Sequence, residues 1–159
     1  MRRKDREVTD LQEIKSIMDT CKVCHVAMMD KEGPYVVPLN YGYRVEENVL
    51  TLYFHSAKEG KKIELLQKNG RVCFEMCSEG QLFYGKVPCA TGQCFSSVIG
   101  FGQASLIEEA EEKCRGLTIL YAHQTGKKVE FTPKQADSVC VYKIVSSDFT
   151  GKRRTLPRQ

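Results

Sequence analysis

Residues 50–69, LTLYFHSAKEGKKIELLQKN, constrain this chain more than any other stretch, because the pattern changes period in the middle. Leu50, Leu52 and Phe54 alternate with Val49, Thr51, Tyr53 and His55, the period-two signature of a strand. Beyond it the spacing turns helical: Ile63 and Leu66 share one face, with Leu65 at its edge. Ser56-Ala57-Lys58-Glu59 has the S-x-x-E form of a capping box. Ser56 is therefore expected as N-cap and Asn69-Gly70 as the stop.

A helix start carries free backbone N–H groups and the positive end of the dipole, so it suits an anion. Lys58, Lys61, Lys62 and the Ser56 hydroxyl crowd the same corner, and a dianionic phosphate there would meet all three kinds of donor. The local pattern leaves a plainer alternative open. Ser56 and Glu59 would then only cap a surface helix, with the lysines solvated.

At 159 residues the chain is expected to form a single domain, residues 1–159, with a charged arm at 1–8 and a basic tail at 150–159. No run approaches the roughly 20 apolar residues of a membrane span. The opening MRRKDREVTD is too charged for a secretory signal, so a cytoplasmic protein is expected. The net charge of +4 is spread among nearly as many acids, too mild by itself to argue for nucleic acid, and no nucleic-acid partner is expected.

In chain order, Thr9 or Asp10 caps a helix to about Thr20, with Leu11, Ile14, Ile17 and Met18 on one face. Strands follow at 24–29 and at 35–45, the second interrupted by Pro38 and Gly42. Proline inside a strand implies an edge or a bulge. The central strand 49–55 and its helix come next, then a strand at 71–76 and a poorly patterned stretch at 80–93. A long strand covers 95–107, with glycines at 100 and 102 that imply bends or close approach. An amphipathic helix spans 108–124 and is ended by Thr125-Gly126, Thr132-Pro133 marks a turn, and the last strand is 139–144. Antiparallel strands with a few helices point to a barrel-like α+β domain.

Eight cysteines invite a disulfide or metal reading. Cys21-Lys22-Val23-Cys24-His25 matches the C-x-x-C-H of covalent haem, but it straddles a helix end and a strand. Cys21 and Cys24 with Cys73/Cys77 or Cys89/Cys94 would supply four thiolates for zinc. The spacings of the second pairs lie within or beside strands, where ligands diverge. Free thiols and no metal are the expectation. Of the histidines, His123 lies near a helix end and His55 abuts the lysine-rich corner.

Tyr53-Phe54-His55-Ser56-Ala57-Lys58-Glu59-Gly60-Lys61-Lys62, followed by Leu65-Leu66, Asn69 and Arg71-Val72, resembles the pyridoxamine 5'-phosphate oxidase-like split-barrel flavoproteins. More narrowly, it is similar to the subgroup of nitroimidazole-resistance reductases. Residues 2–7, 34–41 (PYVVPLNY), 97–102 (SVIGFG) and Thr150-Gly151-Lys152 extend the resemblance over almost the whole chain. It implies a split β-barrel of antiparallel strands binding FMN at a homodimer interface. His55, Ser56, Ala57, Lys58, Gly60, Lys61 and Lys62 would surround the phosphate. Val37, Pro38, Leu39 and Asn40 would lie along the flavin ring, and Ser97 and Val98 would approach from the partner. Two positions depart from the pattern: Gly70 where the family often has proline, and Ser96 where the subgroup often has arginine.

The implied function is an FMN-dependent reductase of small electron-poor compounds such as nitroaromatics, drawing on NAD(P)H or another donor. His55 would serve as the catalytic proton source. Vitamin B6 oxidation is not implied. The rival readings are a flavin carrier or sensor without turnover, and a cysteine-based metal-binding protein.

Overall fold

The structure is a computed structural model and describes residues 2–156. These form β1 (Glu7–Val8), α1 (Leu11–Thr20), β2 (Val23–Asp30), β3 (Gly33–Asn40), β4 (Gly42–Glu46), β5 (Val49–Ser56), α2 (Lys61–Lys68), β6 (Arg71–Phe83), β7 (Gly92–Leu106), α3 (Ala110–Thr125), α4 (Pro133–Ala136) and β8 (Cys140–Arg154). The strand pairs are antiparallel. The hydrogen-bonded path runs β3-β2-β6-β7-β8-β5-β4, with β1 beside β8. Side chains from α1, α2 and the strands share one core, so the sheet wraps round it. Its end strands β3 and β4 do not pair with each other, which leaves the barrel split. The split β-barrel expected from the sequence is the fold observed.

Alternation along β5 places Leu50, Leu52 and Phe54 in the barrel, fully buried. Cutting Leu52 or Phe54 back to alanine would cost about 2–5 kcal/mol. Tyr53 is buried as well, in a second cluster with Ile107, Leu117, Ala136 and Val141. The strand is thus covered on both faces in its middle and emerges at His55. It is not central, however. β5 lies between β8 and the end strand β4, while β7, paired with both β6 and β8, holds the middle of the path.

The strand expected over 35–45 is two strands. Tyr41 leaves the ladder, its ring buried and its hydroxyl donating to the Met18 carbonyl at 2.9 Å. β3 then pairs with β2 and β4 with β5, so the break spans the open seam of the barrel. Gly42 starts β4 hard against α3, where a Cβ would stand 2.4 Å from the Leu120 Cα. Only glycine permits that approach. Pro38 sits on an edge strand, as its missing donor requires.

Other boundaries run further than hydropathy suggests. β6 continues to Phe83 and β7 begins at Gly92, so much of 80–93 is a hairpin arm around a 3-10 turn at Pro88–Ala90. The register shifts between Glu79 and Leu82 in this arm and between Phe101 and Gln103 further along β7. β8 extends to Arg154 and pairs with β1, so residues 7–8 of the charged N-terminal arm and 150–154 of the basic tail lie in the sheet. Of the rest of the basic tail, residues 157–159 lie outside the described residues. Polar strand ends escape pattern reading because ladder bonds are made by the backbone, whatever the side chain. At 132–133 the expected turn is the start of α4, closed by a reciprocal capping box between Thr132 and Gln135.

The first helix begins and ends as read, while the third ends as read but starts at Ala110, with Glu109 as its N-cap. Asp10 accepts from the Glu13 N–H at 2.9 Å, and Gly126 ends α3 in the left-handed region. All eight cysteines are free, with Cys21 at the end of α1 and Cys24 in β2 both buried. Among the described residues, no three His, Cys, Asp or Glu side chains converge on a metal position. No helix among them is long and apolar enough to cross a membrane.

Candidate functional site

The corner after β5 is built differently from a capping box. Ser56 is the last strand residue, paired across to Cys140, and its hydroxyl donates to the Ala57 carbonyl at 2.8 Å. The N-cap of α2 is Gly60, at φ 126° and ψ 165°, and no side chain caps the helix. That backbone conformation is open to glycine almost alone, and it delays the helix start past the reach of Ser56. The Ile63 and Glu64 N–H groups bond to the Gly60 carbonyl at 2.9 and 3.2 Å. The N–H groups of Lys61 and Lys62 precede these first intrahelical bonds and remain at the helix mouth. A Cβ at Gly60 would meet nothing within 4 Å, so the approach is open.

The three lysines have different surroundings. Lys58 is exposed, as are Ala57 and Gly60. Lys61 reaches the turn after β2, with its Nζ 2.6 Å from Asp30 Oδ2 and 4.8 Å from the Tyr35 ring centre. Hydrogen bonding to Asp30 holds its pKa above the ordinary lysine value. Lys62 is half-buried over the Tyr142 ring at 5.9 Å, and burial pushes its pKa down. Among the described residues Lys62 has no acidic partner. Tyr142 is fully buried beneath it, and its hydroxyl has no hydrogen-bond partner.

His55 follows the alternation of β5 to the face opposite Phe54 and Ser56, and its side chain is exposed. β3 is an end strand, so one backbone edge of Val37, Pro38, Leu39 and Asn40 has no strand beside it. Val37 and Leu39 pack on the core, whereas Pro38 and Asn40 are exposed. The Asn40 amide donates to the Lys22 carbonyl at 3.0 Å and to Gln124 Oε1 at 3.1 Å. The contact of Lys61 with Tyr35 brings the corner and β3 together. Ser97 and Val98 lie on β7, away from this group, between Cys77 and Met76 on one side and Lys152 and Gly151 on the other. Val98 is wholly buried in its own core, and Ser97 is nearly so.

Asp30, Tyr35, Tyr142 and Gln124 were not singled out from the sequence. Each acts through a partner tens of residues away, and no local spacing signals such a contact. A further feature is the outer face of β2, β3, β6, β7 and β8. Met29, Val36, Ile99, Phe101 and Val145 stand 37–60% exposed there. Register aligns Val36, Ala27, Cys73 and Phe101 in one row and Pro38, His25, Glu75 and Ile99 in the next. Apolar side chains are thus exposed across one face of the sheet, with the His25–Glu75 pair among them.

A sequence model of the pyridoxamine 5'-phosphate oxidase family matches residues 10–153. No curated protein matches the chain in sequence. Among solved structures, a protein from Bacteroides thetaiotaomicron assigned to 5-nitroimidazole antibiotic resistance is 36% identical. The match covers 92% of this chain and 86% of that one, with a TM-score of 0.79. The flavocytochrome Anf3 from Azotobacter vinelandii is 20% identical over 99% of this chain and 73% of its own, with a TM-score of 0.80. An FAD-binding protein from Mesorhizobium loti is 21% identical over 94% and 98%, with a TM-score of 0.68. These last two share the fold. With the family pattern spanning nearly the whole split barrel, the chain belongs to the pyridoxamine 5'-phosphate oxidase family.

Proposed function

We propose that the chain is a cytoplasmic, homodimeric, FMN-binding reductase of small electron-poor compounds such as nitroaromatics. One observation carries the reading: the uncapped start of α2, entered through Gly60, stands beside a half-buried Lys62 with no acidic partner among the described residues. That donor set fits a phosphate monoester, offering backbone N–H groups, an ammonium and the Ser56 hydroxyl. Family membership, the flavin-related neighbours and the nitroimidazole-related one support the same reading.

Flavin, when bound, supplies the hydride or electron chemistry. The chain binds and orients it. Lys62 and the first N–H groups of α2 hold the phosphate, while Lys58 and Lys61 add charge. The free edge of β3 from Val37 to Asn40 lines the ring and keeps water from one side. The apolar outer face is covered by a second copy, which brings its Ser97 close; Val98, its side chain committed to the core, approaches through its backbone. His55, exposed at the end of β5, moves a proton from an imidazole nitrogen to the reduced substrate.

The test is optical. Purified protein should carry flavin absorption bands that NAD(P)H or another reductant bleaches and a nitroaromatic restores. A flavin that is reduced but never reoxidised by nitroaromatics would make the chain a carrier or sensor. Protein that neither retains nor takes up flavin would end the proposal.

A further inference from the structure

Asp30 closes β2 and meets the start of α2. Its Oδ2 lies 2.6 Å from the Lys61 ammonium, while Oδ1 accepts the Lys31 N–H at 2.7 Å. The two partners are unequal. Asp30 is short, 19% exposed, and pinned by its backbone bond at the β2–β3 turn. Lys61 is long, half exposed, and sits on the first residue of α2. When the pair opens, the lysine is the part that moves.

Resting on the phosphate corner described above, we propose that Asp30 is a competing anion for that corner. It holds the Lys61 ammonium in the ligand-free chain and yields it to a phosphate dianion, and so it sets how strongly phosphorylated ligands are preferred over unphosphorylated ones. Lys62 has no acidic partner among the described residues and makes the first contact; Lys61 is recruited second. The exchange is easy because the lysine end of the pair is half exposed, and an ion pair open to solvent is held weakly. Phosphate oxygens restore the lysine's charge-assisted bond, and they do so closer to the free N–H groups of α2. The carboxylate left behind stays near the phosphate and repels it.

A second role for Asp30 is conceivable, as a residue that orients Lys61 toward the ligand. The geometry is against it. The Asp30 bond and the Tyr35 ring together engage the ammonium beside the β2–β3 turn, so a ligand must take it from them. The two roles predict opposite signs for one substitution.

FMN and riboflavin are titrated into the ligand-free chain, with inorganic phosphate as a competitor of FMN, for wild type, Asp30→Asn, Asp30→Glu, Lys61→Ala, Lys62→Ala and the Asp30→Asn/Lys61→Ala double variant. Asp30→Asn should tighten FMN by about two- to fivefold, the scale of an exposed ion pair, and leave riboflavin unchanged. Phosphate should compete better by a similar factor. Asp30→Glu should keep wild-type selectivity, and the gain should vanish once Lys61 is alanine. Should Asp30→Asn fold poorly, Asp30→Ser carries the same expectation. Weaker FMN binding by Asp30→Asn, no change, or equal shifts for FMN and riboflavin would overturn the proposal. If Lys61→Ala removes FMN selectively while Asp30→Asn is silent, the phosphate corner stands and only the role of Asp30 falls. If Lys61→Ala and Lys62→Ala affect FMN and riboflavin alike, both fall together.

Discussion

Lys62 Nζ lies 5.9 Å from the centre of the Tyr142 ring, and Phe54 stacks on that ring at 5.1 Å with 13° between the planes. The ammonium therefore rests on an aromatic pair whose rings are both fully buried in the barrel core. Such a cation has already given up part of its water, which is why its pKa is depressed. An anion gains more from it than from exposed Lys58, because the remaining desolvation is smaller.

Lys62→Met should weaken FMN binding by about ten- to a hundredfold, the range of a lost charge-assisted contact, while riboflavin changes little. Lys58→Met should do less than either. The Lys61→Ala/Lys62→Ala pair should exceed each single change, though not as a simple product, since both serve one phosphate. Parallel fluorescence titrations measure all of these.

His55→Gln separates chemistry from binding. As a proton donor, His55 is expected to leave FMN affinity unchanged while turnover of a nitroaromatic falls by about ten- to a thousandfold. A lower melting temperature or weaker FMN binding, with turnover per bound flavin preserved, would make it structural instead.

Phe101 is half exposed on the apolar outer face, so Phe101→Glu should split the proposed dimer and weaken flavin binding if flavin is held between copies. Light scattering with a flavin count per chain gives the answer. A monomer that still holds one FMN per chain would refute the shared site.

Half-buried His123 ties α3 to the end of α1, its Nε2 3.0 Å from the Cys21 carbonyl and its ring 4.7 Å from Tyr41. Burial lowers its folded pKa below the unfolded value of about 6.5. As pH falls through 6.5 the unfolded chain therefore takes up the proton first, and this part of the stability is lost on acidification. The melting temperature should drop between pH 7 and pH 5, and His123→Gln should flatten that drop.

What the sequence discloses is what local spacing encodes. The alternation of Leu50, Leu52 and Phe54, the Asp10 cap and the Gly126 stop each involve residues within a few positions, and each is where it was read. The Ser56 box failed for a physical reason: S-x-x-E specifies a cap only if the chain enters the helix at Ser56, and Gly60 defers that entry. The β8 extension was invisible because its polar residues are held by backbone ladder bonds to β7, joined by β1 at Gly151 and Lys152. At the site, the lysines could be named, but not their differences. Those come from Asp30, Tyr35 and Tyr142, which reach the corner only through tertiary packing.

Whether the start of α2 holds a phosphate is tested most directly by titrating FMN and riboflavin side by side into the ligand-free chain. FMN should bind at one per chain and at least about tenfold more tightly than riboflavin, with the gap narrowing as salt is raised. Equal affinities at low salt, or a gap that salt does not touch, would contradict a phosphate at Gly60, Lys61 and Lys62.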